Sequence, residues 1–394
     1  MIYILKPFFS LFLLLVLTTL SSAQAEYKVK LVFVGDIMGH DSQITSAEIE
    51  KNKLYDYAPC FEYIEPILKN ADLAIGNLEL TLPGKPPYKG YPRFRSPNDL
   101  ALDLRYAGFD MLVTANNHSN DSGKEGVLNT IATLDEYNFY HTGTFPNQEL
   151  RDAYYPLLVY KNGFRLVFLN YTYGTNGLKT VPPTIVNLID EEQIEADMAV
   201  ARQLQGDAII VLMHWGKEYQ LNESKEQQAL AEKLQAWGAD LVIGAHPHVV
   251  QPVKEGARML QNGEQKKTLV AYSLGNFISG QRRINTDGGL MLEVELTKDK
   301  TTQEVQISDH AYIPVWRYIQ KDEAGKKTFR LLPVAAFEQA EVDGLDMSAE
   351  DRANMKRFAK TVRNHLSRFD SKERKLSLRE ISPKLHDASA VKSK

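Results

Sequence analysis

Apolar runs rich in β-branched residues recur along the chain and alternate with amphipathic segments. The runs typical of strands are Val29–Val34, Leu73–Ile75, Met111–Thr114, Arg165–Leu169, Ala208–Met213, Leu241–Ile243, Leu269–Tyr272 and Leu290–Leu296. Several are continuously apolar, as expected of strands that are covered on both faces. Apolar residues at helical spacing occur before the Leu73 run, after Asn117 and before the Leu241 run. This alternation predicts an α/β fold built in layers.

The pattern changes after about Lys298. Short alternating runs around Ala311–Tyr318 and Thr328–Val334 predict added strands, and Arg352–Phe369 has the apolar stripe of a helix. A boundary near residue 300 is therefore expected between a main domain, 26–300, and an α+β extension, 301–394. From residue 371 onward, seven Lys/Arg accompany three Asp/Glu, which is typical of a solvated terminus. Contact with an anionic polymer or membrane surface is the alternative.

Residues 1–25 are expected to form a secretory signal peptide. Lys6 precedes the short apolar run Phe8–Leu20, and Ala23-Gln24-Ala25 has the form of a cleavage site. The run is short for a membrane span, and an uncleaved N-terminal anchor is the alternative. The mature protein is therefore expected to be extracytoplasmic, either periplasmic or at the cell surface.

Composition and charge narrow the choice of partners. The chain has 394 residues, 43% of them hydrophobic, and a net charge of −4, which argues against nucleic acid as a partner. The single cysteine, Cys60, allows no intrachain disulfide and is expected to be a small buried hydrophobe. The sequence contains no P-loop, no dinucleotide-binding fingerprint and no Gly-x-Ser-x-Gly nucleophile motif.

Polar and acidic residues stand at the ends of several apolar runs. Gly35-Asp36-Ile37-Met38, Gly76-Asn77-Leu78-Glu79 and Asn116-Asn117-His118 end the first three runs. Ligand sites of α/β sheets assemble where strands end. Carboxylate and amide oxygens bind hard or borderline cations, and histidine binds metal or passes a proton. Ordinary turns are the alternative, and Asp121 or Ser122 would suit the cap of a following helix.

Histidines complete this pattern later in the chain. His214 closes one apolar run, and Gly244-Ala245-His246-Pro247-His248 follows the next. Two histidines on either side of a proline can present both imidazoles to one or two metal ions. Asn276, in Ser273-Leu274-Gly275-Asn276-Phe277, is expected to orient a ligand or a histidine, with a tight turn as the alternative. Together these residues suit a divalent transition-metal site.

The segment Pro83–Arg95 contains prolines and glycines that predict a long loop. Its basic side chains, Lys85, Arg93 and Arg95 among them, are candidates for contact with an anionic substrate. A decorated surface loop without such a role is an equally good interpretation.

The ordered motifs resemble the CapA family of poly-γ-glutamate capsule synthesis proteins. The resemblance extends from about Val29 to Leu296 and also includes Ala115, Asp121, Gly123 and Val249-Val250-Gln251. The family is similar in fold to the calcineurin-like metallophosphoesterases. The resemblance therefore implies a four-layer α/β/β/α sandwich of metallophosphatase type with metals at the strand ends.

The resemblance also implies roles for individual residues. It makes metal ligands of Asp36, Asn117, His214, His246 and His248. Glu79 or Asn77 would take the place of a bridging carboxylate, and His118 would donate a proton to a leaving group. The candidates for contact with a substrate are Asn77, Asn116, Asn276, Lys85, Arg93 and Arg95.

Two positions depart from the phosphoesterase pattern. Met38 stands where that pattern has a histidine, and Asn77 stands where it has an aspartate. Metal binding could therefore be altered, reduced to one ion or lost, and whether the protein is an enzyme stays open.

The leading hypothesis is a secreted CapA-like protein that acts in the biosynthesis, export or remodelling of poly-γ-glutamate or a similar anionic polymer through a metal site. One or two divalent ions, with Mn, Zn and Fe as the choices, would be its cofactor. A second hypothesis is a metal-dependent phosphoesterase or other hydrolase with another extracytoplasmic substrate. A third is a non-catalytic subunit that works with membrane-bound synthase subunits.

Overall fold

The computed structural model describes residues 26–51, 53–260, 263–338, 345–369 and 371–382. The predicted signal peptide and the last part of the basic tail lie outside these residues. Within the described ranges, no helix combines the length and the apolar character needed to cross a membrane.

Strands and helices alternate through most of the described chain. The strands are β1 (Glu26–Ile37), β2 (Glu48–Glu50), β3 (Leu54–Tyr55), β4 (Leu73–Leu78), β5 (Met111–Val113), β6 (Tyr140–Thr142), β7 (Thr144–Phe145), β8 (Leu157–Lys161), β9 (Phe164–Thr172), β10 (Ile185–Val186), β11 (Ala208–His214), β12 (Leu241–Ala245), β13 (Val253–Met259), β14 (Gln265–Ala271), β15 (Asn276–Ile278), β16 (Gly288–Asp299), β17 (Val305–Lys321), β18 (Lys327–Pro333) and β19 (Lys372–Glu373). The helices are α1 (Asp41–Ala47), α2 (Ala58–Phe61), α3 (Glu65–Lys69), α4 (Asp99–Ala107), α5 (Gly123–Glu136), α6 (Gln148–Tyr154), α7 (Glu191–Gln203), α8 (Lys225–Trp237), α9 (Val334–Phe337), α10 (Ala349–Leu366) and α11 (Leu378–Ile381). Every apolar run predicted as a strand falls within or overlaps one.

Two large sheets carry the fold. The first has the strand order β18-β17-β16-β1-β4-β5-β6, with β15 paired to β1 and β19 to β17. Strands β1, β4, β5 and β6 are parallel, whereas β16, β17 and β18 add antiparallel neighbours. The second sheet has the order β13-β14-β12-β11-β9-β8, with parallel strands in its centre and an antiparallel strand at each edge.

The alternation of side chains along the second sheet explains how the layers stack. In β9, Leu166 and Phe168 join the core shared with the first sheet, while Val167 and Leu169 join a second core beneath α7 and α8. This is the period of two that sends successive strand residues to opposite faces. Helices α3, α4 and α10 cover the first sheet on its other side. The predicted four-layer α/β/β/α sandwich is confirmed.

Residues after the predicted boundary near 300 share the first sheet. Strand β17 pairs with β16 along most of its length, and β18 pairs with β17. Helix α10 packs on β17 through the apolar stripe Met355, Phe358, Val362 and Leu366, all of which are buried. The 301–394 extension therefore contributes, as far as it is described, to the same sheet and core as residues 26–300.

Local sequence explains where the helices beneath the second sheet begin and end. Ser224 accepts a hydrogen bond from the Gln227 backbone at the start of α8, and Gly238 ends this helix in the left-handed conformation at φ 117°. Asp190 accepts a hydrogen bond from Gln193 at the start of α7. These interactions fix the ends of the two helices that pack against β11 and β12.

Candidate metal centre

Residues from the first sheet meet where its parallel strands end. Asp36, near the end of β1, pairs in register with Asn77 of β4 on one side and with Asn276 of β15 on the other. Glu79 follows β4 directly, and Asn117 lies in the turn after β5. All five of these side chains are buried, so the first sheet presents oxygen atoms to one protected place.

The second sheet supplies imidazole nitrogens at the same edge. His214 ends β11 in register with Ala245, which ends β12, and the two further histidines follow directly. His246 and His248 both have positive φ, 97° and 59°, on either side of Pro247. Left-handed backbone is uncommon for residues other than glycine and costs about 1–3 kcal/mol where it is imposed. This strained turn directs both imidazoles towards the first sheet.

Two groups of side chains that could hold a metal ion overlap in Glu79; they are called the ligand groups below. The first is Glu79, His246 and His248, the second is Asp36, Glu79 and His214, and within each group the ligand atoms lie within 4.8 Å of one another. Both Glu79 oxygens and Nδ1 of His246 are buried without a hydrogen-bond partner in the described part of the chain. Because buried polar atoms are rarely left without partners, these atoms fit the role of cation ligands. The five residues of the two groups, together with Asn117, are called the metal centre below.

Asp36 is held as a carboxylate by its neighbours. Asn77 Nδ2 donates to Oδ1 over 2.8 Å, and His248 Nδ1 lies 3.0 Å from Oδ2. Burial alone would raise the pKa of Asp36, but the hydrogen bond and charge of His248 and the Asn77 amide outweigh it and lower that pKa. The ionised form is the one that binds a cation.

The surroundings of Glu79 shift its pKa in the opposite direction from that of Asp36. Burial raises the pKa of Glu79 well above its ordinary value, and the negative charge of Asp36 raises it further. Two adjacent buried carboxylates repel each other unless a proton or a cation lies between them. Glu79 belongs to both ligand groups, whereas the Asn77 amide donates to Asp36, so the position of Glu79 suits a bridging ligand. Met38, where the phosphoesterase pattern has a histidine, is buried and belongs to neither group.

Burial favours the neutral, metal-binding form of His214 and His246. Burial lowers the pKa of His214 well below its ordinary value and lowers that of His246 to about 3, with neighbouring histidines adding to the effect. His214 Nε2 lies 2.8 Å from Asn117 Oδ1 and 3.7 Å from Glu79 Oε1. An imidazole, an amide oxygen and a carboxylate therefore meet at one point, as a site with mixed nitrogen and oxygen ligands requires.

His118 lies beside the metal centre and belongs to neither ligand group. Its Nδ1 is 2.6 Å from Asp121 Oδ2, and its Nε2 is 4.0 Å from Glu79 Oε1. The Asp121 carboxylate therefore orients the ring with Nε2 towards the ligands. The alternative of Asp121 as a helix cap is wrong, since α5 begins after Ser122 without a side-chain cap and Asp121 accepts instead from the Phe94 backbone.

Three asparagines that were predicted to contact substrate are buried and hydrogen-bonded within the site. Asn77 donates to Asp36, and Asn116 accepts from the His118 backbone and donates to the Leu78 carbonyl. Asn276 Oδ1 lies 3.1 Å from His248 Nδ1. These amides position the ligand side chains, and contact with a substrate stays a prediction.

The predicted loop between β4 and α4 contacts His118, beside the metal centre, through Phe94. The Phe94 ring packs edge-on against His118, with ring centroids 4.6 Å apart. Lys85 and Arg93 are exposed, while Arg95 is half-buried. Their contact with a polymer stays a prediction, but the loop does form one wall of the site.

Two partly exposed side chains at the mouth of the site were not predicted from the sequence. The Tyr173 ring lies 4.5 Å from the His246 ring and is 47% exposed. Glu218 Oε1 is 4.0 Å from His248 Nε2, and its side chain is 45% exposed. Each follows a strand end, Tyr173 after β9 and Glu218 after β11, so the signal that identified the ligands also applied to them.

Comparison with known proteins places the chain in a family. Residues 30–281 match the family described as Bacterial capsule synthesis protein PGA_cap, which is more than half of the chain. The chain belongs to this family. The resemblance to the CapA family is confirmed.

Individual relatives agree with this assignment. The chain is 28% identical over 304 residues to the PGA biosynthesis protein CapA of Bacillus subtilis, and the match covers 75% of each chain. It is 28% identical over 288 residues to the Capsule biosynthesis protein CapA of Bacillus anthracis, covering 70% of this chain and 65% of that protein. The chain thus spans just under two thirds of the second relative.

Two solved structures are similar at lower levels. One is the calcineurin-like phosphoesterase YfkN from Bacillus subtilis, with 11% identity, a TM-score of 0.41 and coverage of 86% of this chain and 99% of that chain. The other is a phosphatase from Mycoplasma pneumoniae, with 16% identity, a TM-score of 0.37 and coverage of 74% and 95%. The four-layer arrangement is established by the two sheets and their helices, independently of these likenesses.

Proposed function

We propose that this PGA_cap-family protein carries out a metal-dependent hydrolytic step in the synthesis or remodelling of an anionic capsule polymer outside the cytoplasm, with poly-γ-glutamate as the leading candidate. The observation that carries the proposal is the pair of ligand groups that share Glu79, whose oxygens have no hydrogen-bond partner among the described residues. Membership of the capsule synthesis family supplies the polymer context.

The proposed ligands of one or two divalent ions are Asp36, Glu79, Asn117, His214, His246 and His248. Their mixture of imidazole and oxygen donors suits Mn, Zn or Fe. A divalent ion in such a site supplies Lewis acidity and a more acidic water.

The remaining chemistry belongs to the side chains around the ligands. Asp121 holds His118 with Nε2 facing the site, so that a protonated His118 donates from Nε2 to the atom that leaves when a bond is cleaved. Phe94 covers the edge of this imidazole and excludes water on that side. His118 thus has the position and the orienting partner of a general acid.

Purified full-length protein distinguishes the candidate functions. We expect it to shorten poly-γ-glutamate in a reaction that a chelator abolishes and a divalent ion restores, as measured by size-exclusion chromatography. Cleavage of simple phosphodiesters without cleavage of the polymer would favour the phosphoesterase alternative. A protein that binds no metal and copurifies with membrane-bound synthase subunits would favour a non-catalytic role and contradict the proposal.

Replacing His118→Ala should lower the hydrolytic rate by about 10²–10⁴-fold while leaving the metal content unchanged, because the ring supplies a proton and no ligand. Rate and elemental content are measured on the same preparation. His141→Ala is the matched control, since His141 also pairs with a carboxylate, 2.9 Å from Asp135, but contacts none of the ligands. Loss of metal from the His118 variant would show that the assigned role is wrong.

A further inference from the structure

A large basic cavity lies beside the metal centre. Its walls belong to the part of the first sheet, and the helix on it, that follows residue 280 in the chain. Its volume is about 550 Å³, within the range of ligand pockets. Its walls carry six cationic side chains, which are Arg282, Arg283, Arg317, Lys321, Lys327 and Arg357, against the carboxylates of Asp287, Glu350 and Asp351. This set of residues is called the basic cavity below.

Arg317 is the most informative residue of the basic cavity because it is buried. Its Nη2 donates to the Gln281 carbonyl over 2.8 Å, and its Nε has no hydrogen-bond partner in the described chain. The nearby Asp287 carboxylate accepts from Trp316 Nε1 over 2.8 Å and lies 3.4 Å from Arg357. A buried guanidinium without a carboxylate in contact is costly, so this position favours an anion from outside the chain.

Acidic residues of the walls do not neutralise the remaining cations. Asp351 is engaged at the start of α10, where it accepts from the Ser348 backbone and hydroxyl. Among the described residues, neither Lys321 nor Lys327 has a carboxylate within ion-pair distance, and the same is true of Arg282. The basic cavity therefore keeps a net positive charge that faces solvent.

The basic cavity is joined to the metal centre by direct contacts. The Arg283 guanidinium lies 4.2 Å over the Tyr219 ring, and that ring is 6.0 Å from the His248 ring. Asn276, which contacts His248, donates to Gln281 Oε1 over 2.9 Å, and Gln281 in turn receives the Arg317 hydrogen bond. The segment 276–283 therefore lies between the basic cavity and His248 and contacts both.

We propose that the basic cavity binds successive carboxylates of an extended anionic polymer and so places the adjoining unit at the metal centre. The guanidinium fork matches a carboxylate in two parallel hydrogen bonds, and the lysines at the rim pair with further carboxylates along the same chain. The polymer class rests on the proposed function, whereas the binding of a polyanion rests on the cavity alone. This site is distinct from the loop that carries Lys85, Arg93 and Arg95.

The test compares two double variants of the full chain that each remove two positive charges. Lys321→Gln with Lys327→Gln changes the rim of the cavity, and Lys356→Gln with Lys360→Gln changes exposed positions of α10 that do not line it. Binding of a short γ-glutamate oligomer is measured by fluorescence anisotropy. We expect the cavity variant to bind about fivefold more weakly or worse, the α10 variant to stay within about twofold of the unchanged protein, and added salt to weaken binding.

Other outcomes separate this inference from the proposed function. Equal affinities of both variants, or equal losses in both, would overturn the basic cavity as the binding site. Binding of polyphosphate in place of γ-glutamate would overturn the carboxylate assignment. A His246→Ala variant that loses metal and hydrolysis but keeps its affinity for the oligomer supports the inference. Unchanged protein that binds the oligomer through the cavity yet hydrolyses no polymer would refute the proposed function alone.

Discussion

Glu79→Gln is expected to abolish metal binding and hydrolysis together. The carboxylate is the one side chain present in both ligand groups, and glutamine removes its charge while keeping its shape. The loss of metal affinity should exceed the roughly 10- to 100-fold that follows from removing a hydrogen-bonding partner behind a ligand. Elemental analysis of the purified variant, beside its rate on the polymer, measures both effects.

The same substitution should stabilise the protein when metal is withheld. Burial and the Asp36 charge raise the pKa of Glu79 above its unfolded value of 4.5, so the folded state holds this proton more tightly than the unfolded state. The metal-free protein therefore loses stability as the pH rises from the unfolded pKa through the folded pKa. Glutamine removes that loss, and the melting temperature of the metal-free variant should exceed that of the unchanged protein at neutral pH.

Glu218→Gln is the matched control for both measurements. Glu218 lies at the mouth of the site, 4.0 Å from His248, but is half exposed and belongs to neither ligand group. Its variant should keep the metal and show no gain in metal-free stability. If Glu79→Gln retained a full complement of metal, the shared-ligand assignment would be wrong, whatever happened to the rate.

Gly35→Ala is expected to cost about 3 kcal/mol of unfolding free energy. A Cβ at this position would lie 1.9 Å from the Gly275 carbonyl oxygen, and that oxygen accepts the Asp36 backbone N–H over 3.0 Å. Both groups are backbone in the centre of the first sheet, so relief requires β1 and the turn before β15 to separate. Overpacking of this kind, with the loss of a buried hydrogen bond, reaches the upper end of single-substitution effects.

Gly174→Ala provides the comparison for this effect. Apart from its two chain neighbours, no atom of the described residues lies within 4 Å of the position that its Cβ would take, so the stability of the variant should change by no more than about 0.5 kcal/mol. Urea unfolding, read as a shift in midpoint at constant slope, measures both variants. Equal midpoints for the two would show that β1 and the turn are not in close contact. The Gly35 variant should also lose metal, since Asp36 moves with the strand.

The strands that were predicted are short apolar runs, and their burial follows from their composition. The runs in β9, β11 and β12 are hydrophobic at nearly every position, which suits only a sheet covered on both faces. The segment Phe61–Leu68 was less clear, since its apolar residues suggested one helix where the structure has α2 and α3. Pro59 and Pro66 stand in the first turns of those helices, where proline is tolerated but does not continue a preceding helix.

The grouping of the polar residues at the strand ends was predictable for a different reason. Parallel strands of one sheet end at a common edge, so Asp36, Asn77 and Asn117 must lie near one another once their runs are recognised. The family resemblance, in contrast, was needed to infer that a second sheet faces the first and brings His214 and His246 to the same edge. The resemblance left the bridging position open between Glu79 and Asn77, because the side-chain directions depend on the exact register of β1 and β4, which shifts between Val34 and Asp36.

The amino-acid sequence alone determined the layered fold class and the residue types at the strand ends. Both follow from local patterns, because each strand or helix is specified by the apolar spacing of a few neighbouring residues. Only tertiary structure determined which of those side chains lack hydrogen-bond partners, that Asp121 turns to His118 instead of capping α5, and that Arg283, Arg317 and Lys327 share one cavity. Apart from the His118–Asp121 pair, these features join residues far apart in the chain, and their distances depend on how the two sheets pack, which no local pattern encodes.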